Sequence, residues 1–221
     1  MLVSPKDLLD NTNNSTKIDI MNFLSIDCST ERSSLFIKVK NKTFIKVLQS
    51  DKLNNDLLMK KILDFFAENN LSFNDIHEVF ANQGPGNFSG IRGSLAVAKG
   101  ISLSKNINLL GYNTFIWICS KYFGKQSSIY ALIKFREKYY IQKFNKTLRT
   151  ISKIKLITKD TILQKYKDKF LVFPRSIAKD YDKKILQLSN TNIAESNHKE
   201  LEFLKLKGLL DEDLIKPLYL S

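Results

Sequence analysis

Gly84-Pro85-Gly86-Asn87-Phe88-Ser89-Gly90-Ile91-Arg92-Gly93 lies between the apolar run Glu78-Val79-Phe80-Ala81-Asn82 and Ser94-Leu95-Ala96-Val97-Ala98-Lys99-Gly100, in a chain of 221 residues. A short apolar run, two glycines around a proline and then a long stretch of helix formers predict strand, sharp turn and helix, the helix over about Ser89 to Ser104. Asn87 and Ser89 suit the helix cap, and a helix start of this kind also attracts phosphate or another anion. The stretch matches neither G-x-x-x-x-G-K-[ST] nor G-x-G-x-x-G. An anion site and a plain tight turn both remain open on these residues.

On the N-terminal side, Phe23-Leu24-Ser25-Ile26-Asp27 predicts a first strand, with Ser34–Lys40 and Thr43–Leu48 as a hairpin turning at Asn41-Lys42. A helix is expected from about Asn55 to Glu68. Residues 1–20, with the polar stretch Asp10 to Lys17, are expected to be a disordered extension outside the fold. On the C-terminal side, Asn108–Gly111 predicts a strand and Thr114–Phe123 a helix. Ile129–Phe135, Lys138–Phe144 and Ile151–Ile154 follow as a second antiparallel set. A helix near Thr161–Lys169, a strand Phe170–Phe173, a helix near Ala194–Gly208 and a tail Lys216–Tyr219 complete the chain. The pattern is α/β, read as two closely packed lobes at 21–108 and 109–221.

Two helices carry more apolar surface than one packing face uses. Leu58, Met59, Ile62, Leu63, Phe65 and Phe66 span roughly 160° of the first, against the ~100° stripe of a surface helix. On the second, Ile91, Leu95, Val97, Ala98, Ile101 and Leu103 point in most directions, and Gly93, Ala96 and Gly100 form a small-residue strip. Packing within the lobe competes here with a helix-bundle interface to another protein. Arg92 and Lys99 share one stripe, as solvated rim residues or as RNA contacts.

Lys and Arg number 35 against 22 Asp and Glu, a formal net charge of +13. That balance fits either a solvated lysine-rich surface or an RNA-facing patch. No run is long and apolar enough to span a bilayer and no signal-like profile opens the chain, so a soluble, cytoplasmic protein without membrane contact is expected. Cys28 and Cys119 show no paired or zinc-like spacing. His77 and His198 are read as polar surface or loop residues rather than metal ligands.

The glycine stretch resembles the signature G-P-G-S-F-T-G-[LV]-R-x-G-x-x-x-A-K-G of the TsaB (YeaZ) family. Phe23 to Glu31 is similar to that family's opening I-L-A-I-D-T-S-T-E, and Lys216-Pro217-Leu218-Tyr219-Leu220 to its terminal E-P-x-Y-L. The resemblance implies two ribonuclease-H-like lobes of the actin-like ATPase superfamily, each a mixed sheet with helices. It also implies a supporting role in making threonylcarbamoyladenosine beside the tRNA anticodon. The implied partners are the paralogue TsaD and the ATPase TsaE, with tRNA reached through the complex and a homodimer in isolation. The implied pairing surface draws on the two apolar helices: Leu58, Met59, Ile62, Phe65, Phe66, Gly93, Ala96, Val97 and Gly100.

Departures from the active pattern point away from catalysis. TsaD-type proteins carry an H-x-x-x-H metal pair on the first helix, where this chain reads Asn54-Asn55-Asp56-Leu57-Leu58-Met59-Lys60-Lys61. Ser29 stands where active members usually have glycine, and Lys134 where the family commonly has aspartate. Asp27, Ser29, Gly84 and Gly86 are therefore expected to be a vestigial phosphate site, with no catalytic residue and no metal. No cofactor follows from the residues, and the resemblance leaves room for ATP or ADP at an interface of the complex. The opposing expectation is an ATPase, kinase or glycoprotease-like hydrolase, and a third is an independent tRNA-binding module.

Overall fold

A computed structural model describes residues 21–30, 33–48, 57–213 and 215–220. The expected extension at 1–20 and the first residues of the expected helix at 55–56 lie outside the described residues. The chain opens with β1 (Phe23–Asp27), β2 (Ser33–Val39) and β3 (Lys42–Leu48), then α1 (Leu58–Glu68), β4 (Glu78–Asn82), α2 (Phe88–Lys105) and β5 (Asn108–Tyr112). These strands form a five-stranded sheet in the order β3-β2-β1-β4-β5. β2 is antiparallel to β1 and β3, while β4 runs parallel to β1 and β5.

After α3 (Thr114–Cys119) the arrangement repeats. β6 (Ser128–Phe135), β7 (Lys138–Asn145), β8 (Lys155–Ile157), α4 (Lys159–Lys165), β9 (Leu171–Pro174), α5 (Lys183–Leu186) and β10 (Thr191–Ala194) precede α6 (Glu200–Leu206). The second sheet has the order β10-β9-β6-β7-β8, the first sheet's connectivity over again. Each lobe is thus an antiparallel β-meander extended by two parallel strands through helical crossovers.

The register shows how the strands sort their side chains. In β1, Leu24 and Ile26 face the cluster that holds Ile62, Phe65, Leu95 and Ala98 of α1 and α2. Phe23 faces the opposite way, stacked on Phe80 at 4.5 Å between ring centroids. That opposite face meets α3, α6 and the second sheet in one continuous core, including Phe115, Trp117, Ala131, Val172 and Leu204. α4 and α5 cover the far side of the second sheet. The layers run helices, sheet, helices, sheet, helices, and the middle layer is shared by both lobes.

Several sequence expectations shift. β5 is the edge strand of the first sheet, parallel to β4, so the first sheet extends through Tyr112 rather than ending near 108. The hairpin turns at Lys40-Asn41, where Lys40 adopts φ 54°. The helix expected over Thr114–Phe123 is α-helical only to Cys119 and tightens into a 3₁₀ turn over Ser120–Tyr122. The third strand of the second lobe is Lys155–Ile157, not Ile151–Ile154, because the chain after β7 first loops back through a bridge between Phe144 and Thr150. The helix expected over Ala194–Gly208 is confined to Glu200–Leu206. Thr191–Ala194 instead adds a parallel strand to β9, and the polar run after it is held by tertiary bonds such as Trp117 Nε1–H to the Asn197 carbonyl at 3.0 Å.

His198 lies in the turn before α6, but buried, 4% exposed, rather than at the surface. Its Nδ1 lies 2.9 Å from Ser25 Oγ of β1, and its Nε2 lies 2.8 Å from Ser34 Oγ of β2. The ring stacks on Phe36 and packs against Trp117. Ser25 continues the chain to the Tyr112 hydroxyl at 3.3 Å. α6 is pinned to the same sheet by Lys38–Glu202 and Lys205–Glu78.

Burial lowers the His198 pKa from 6.5 to about 3. The folded state therefore holds the neutral ring while the unfolded chain takes up a proton below about pH 6.5, so this stability is present above that pH and is lost as pH falls toward 3. At about 1.4 kcal/mol per unit, lowering the pH to 5 costs roughly 2 kcal/mol, read by thermal or urea melts; His198→Gln removes that part of the pH dependence. In the other core, Ile62→Ala is expected to cost about 2–5 kcal/mol by leaving a cavity, read by urea unfolding.

Candidate functional site

Asp27 ends β1 with its carboxylate buried, and Oδ1 accepts three hydrogen bonds: from Ser29 N–H at 3.0 Å, Ser29 Oγ–H at 2.7 Å and Asn82 Nδ2 at 3.0 Å. Asn82, at the end of the neighbouring parallel strand β4, also donates to Ser29 Oγ and Thr114 Oγ1. Its own Oδ1 accepts from Gly84 N–H at 2.8 Å. Asn82 and Thr114 do not stand out in the sequence. Their one signal is placement at the ends of adjacent strands or just beyond them, where α/β sheets gather polar side chains.

Burial is the largest influence on Asp27 and holds its carboxyl above the usual range, outweighing the hydrogen bonds from Ser29 and Asn82 that act the other way. No cation compensates it among its bonded partners. Among the described residues, no three His, Cys, Asp or Glu side chains are grouped to hold a metal ion.

The glycine turn closes over this network. Gly84 sits at φ +102°, a conformation that L side chains rarely adopt. Asn87 N–H donates to the Ser29 carbonyl at 2.7 Å, and Asn87 Oδ1 caps α2 by accepting from Gly90 N–H. A Cβ on Gly86 would lie 1.9 Å from the Ser29 carbonyl oxygen, and one on Gly90 would lie 2.3 Å from that of Cys28. The backbone after β1 therefore stands where a side chain on Gly86 or Gly90 would project, and the turn packs directly onto it. Asp27, Ser29 and Gly84 do come together in one hydrogen-bond network through Asn82, and Gly86 packs against the Ser29 backbone beside it.

The C-terminal tail joins them. Leu218 N–H donates to the Gln83 carbonyl at 2.7 Å, Gln83 Nε2 donates to the Lys216 carbonyl, and Tyr219 stacks on Phe88. Arg92 lies over the other partner of that stack, 5.1 Å from the Phe88 ring centroid. The three sequence segments that carry the family resemblance thus meet at one place. Lys134 turns to its own lobe, donating to the Asp180 carbonyl and pairing with Glu137.

Residues 50–136 match the family described as TsaD, tRNA N6-adenosine threonylcarbamoyltransferase. The tRNA threonylcarbamoyladenosine biosynthesis protein TsaB of Buchnera aphidicola subsp. Baizongia pistaciae is 31% identical over 126 residues, 54% of this chain and 56% of that protein. The chain thus spans little more than half the length of that relative. The same-named protein of Buchnera aphidicola subsp. Schizaphis graminum is 26% identical over 80% of this chain and 90% of its own. The solved structure of YeaZ from Pseudomonas aeruginosa superposes with TM-score 0.66 at 15% identity, over 90% of this chain and all of that one.

The chain is similar to proteins of the TsaB (YeaZ) family. Its fold is the YeaZ fold, two lobes each built on a mixed five-stranded sheet with helices.

The residues expected at a TsaB-family pairing surface divide. Leu58, Ile62, Phe65 and Phe66 are buried in their own lobe, because these four face the sheet and α2. They cannot form a surface. Met59, Ala96 and Gly100 are exposed, and Gly93 and Val97 half-buried. Leu63, 48% exposed, and Leu103, 83% exposed, join them on the outer sides of α1 and α2. A Cβ on Gly100 would meet nothing within 4 Å. The wide apolar arc thus serves mostly the core and leaves a narrower apolar strip outside.

Gly86→Ala is expected to destabilise by more than about 3 kcal/mol, since the obstacle is backbone and not a movable side chain. Asp27→Asn keeps an acceptor for the same donors and removes a buried charge, so its melting temperature should match or exceed wild type. Differential scanning calorimetry of both variants checks the pair.

Proposed function

We propose that this chain is a non-catalytic subunit that supports a TsaD-type partner in threonylcarbamoylation of the adenosine next to the tRNA anticodon. The relatives named for threonylcarbamoyladenosine biosynthesis support the pathway. The observation that carries the subunit role is the packing of Gly86 onto the Ser29 carbonyl: the turn that could cradle phosphate is spent on joining β1, α2 and the tail.

The outward strip of Met59, Leu63, Ala96, Gly100 and Leu103 is the surface we assign to pairing. Two helices presenting small and flexible apolar side chains let a partner helix approach closely and bury the strip. In isolation the same strip would meet its counterpart on a second copy, giving a homodimer. A TsaE-type ATPase and tRNA then engage the assembled complex.

Leu63→Asp and Ala96→Arg, each at an outward position, are expected to weaken co-purification with the TsaD-type protein of the same cell at least tenfold, with melting temperatures unchanged. Undiminished association of both variants would sink the assignment. Magnesium-dependent ATP hydrolysis by the isolated chain, abolished in Asp27→Asn, would overturn the non-catalytic reading.

A further inference from the structure

Ten Lys and Arg and only two Asp occur between Lys138 and Lys169, with no Glu. That net +8 is most of the chain's +13, gathered on the meander of the second lobe and α4. The register explains how it reaches one place. Tyr130 on β6 pairs with Lys143 on β7, and Ile141 on β7 pairs with Lys155 on β8, so these side chains share the sheet face that α4 covers.

α4 covers that face incompletely. Between its C-terminal end and the sheet lies a cleft of about 200 Å³, lined by Tyr130, Lys143, Lys155, Lys165, Tyr166 and Lys169 among others, with no acidic residue in its lining. Lys155, Lys165 and Lys169 are exposed, while Lys143 and both tyrosines are half-buried. The ion pairs of the described residues engage Lys38, Lys46, Lys134, Lys159, Arg175 and Lys205, and none of these four. Lys143 Nζ lies 5.5 Å from the Tyr130 ring centroid, and the Tyr130 and Tyr166 rings meet edge to face.

We propose that this cleft is a docking site for the phosphate backbone of RNA, with the lysines as phosphate contacts and the tyrosines as aromatic surface for an unstacked base. Unpaired cations around a concave aromatic floor suit a flexible polyanion, whose phosphates follow the rim while a base reaches in. A membrane surface calls for the opposite relief, with apolar side chains projecting between headgroups. The site lies on the second lobe, apart from the strip assigned to pairing on α1 and α2.

The test uses the full chain without any protein partner and an unmodified tRNA transcript as probe, a choice that rests on the proposed function. Binding is measured between about 50 and 200 mM salt, the range over which phosphate neutralisation is most visible. The combined variant Lys143→Gln, Lys155→Gln, Lys165→Gln and Lys169→Gln is expected to bind at least tenfold more weakly. Its salt slope should fall by about 3, at roughly 0.7 for each phosphate left without its lysine. A control with Lys60, Lys121, Lys183 and Lys207 changed to Gln removes the same charge elsewhere. Equal weakening in the control, no binding by wild type at low salt, or tighter binding to phosphatidylserine vesicles than to tRNA would each overturn the proposal. Matched melting temperatures of the two variants separate weaker RNA binding from a damaged fold. Because no TsaD-type protein is present, failure here leaves the pairing experiment to stand or fall separately.

Discussion

A buried neutral imidazole fastens α6 to the first sheet inside the core that the two lobes share. His198 reaches from the turn before α6 into the first sheet, where Ser25 and Ser34 on adjacent strands engage its two nitrogens. A neutral ring carries one donor and one acceptor, so one serine hydroxyl gives a proton to the ring while the other takes one. Phe36 stacks on the ring and Trp117 packs against it. Removing the imidazole would strand polar groups in an apolar layer, which is costlier than never burying them. The position of α6, and through it the shared middle layer, follows from this contact and from the two lysine–carboxylate pairs beside it.

The glycine turn shows a different use of close approach. Glycines at a strand-to-helix turn are commonly read as making room for a ligand, because the absent side chain exposes backbone donors. Here the room is taken by the chain itself: the carbonyls of Cys28 and Ser29 stand where side chains on Gly90 and Gly86 would be. Conformational permissiveness is spent on holding β1, β4, α2 and the tail at one junction, and Asn82 satisfies several polar groups there at once. The turn's interior is committed to cohesion.

Much of the fold was legible because its signals are local. The alternation in β2 and β7, the apolar run of β4 and the Gly84–Gly86 turn each specify their element within a few residues. The larger misses depend on distant partners. Thr191–Ala194 becomes a strand only because β9 offers an edge, and residues 195–199 stay out of helix because Trp117 and the first sheet bind them. His198 could not be distinguished from a surface histidine when the serines that hold it are more than 160 positions away. On α1, a helical projection shows which side chains share a side but not how much of that side the sheet covers. Ile62 and Leu63, adjacent in sequence and both apolar, therefore end on opposite sides of the boundary between core and surface.

The tail has a consequence for how the molecule is made. Leu218 and Tyr219 complete contacts with Gln83 and Phe88, and Asp211 exchanges backbone bonds with Gly111, the neighbour of the residue that ends the first sheet. Part of the first lobe's surface is thus sealed by residues synthesised a hundred or more positions later. During translation that lobe emerges with its inner face, including Phe23, Phe36 and Phe80, still waiting for α3, α6 and the tail. The nascent chain carries an unfinished apolar wall until Leu218 and Tyr219 have cleared the ribosome, the interval in which a chaperone has most to protect.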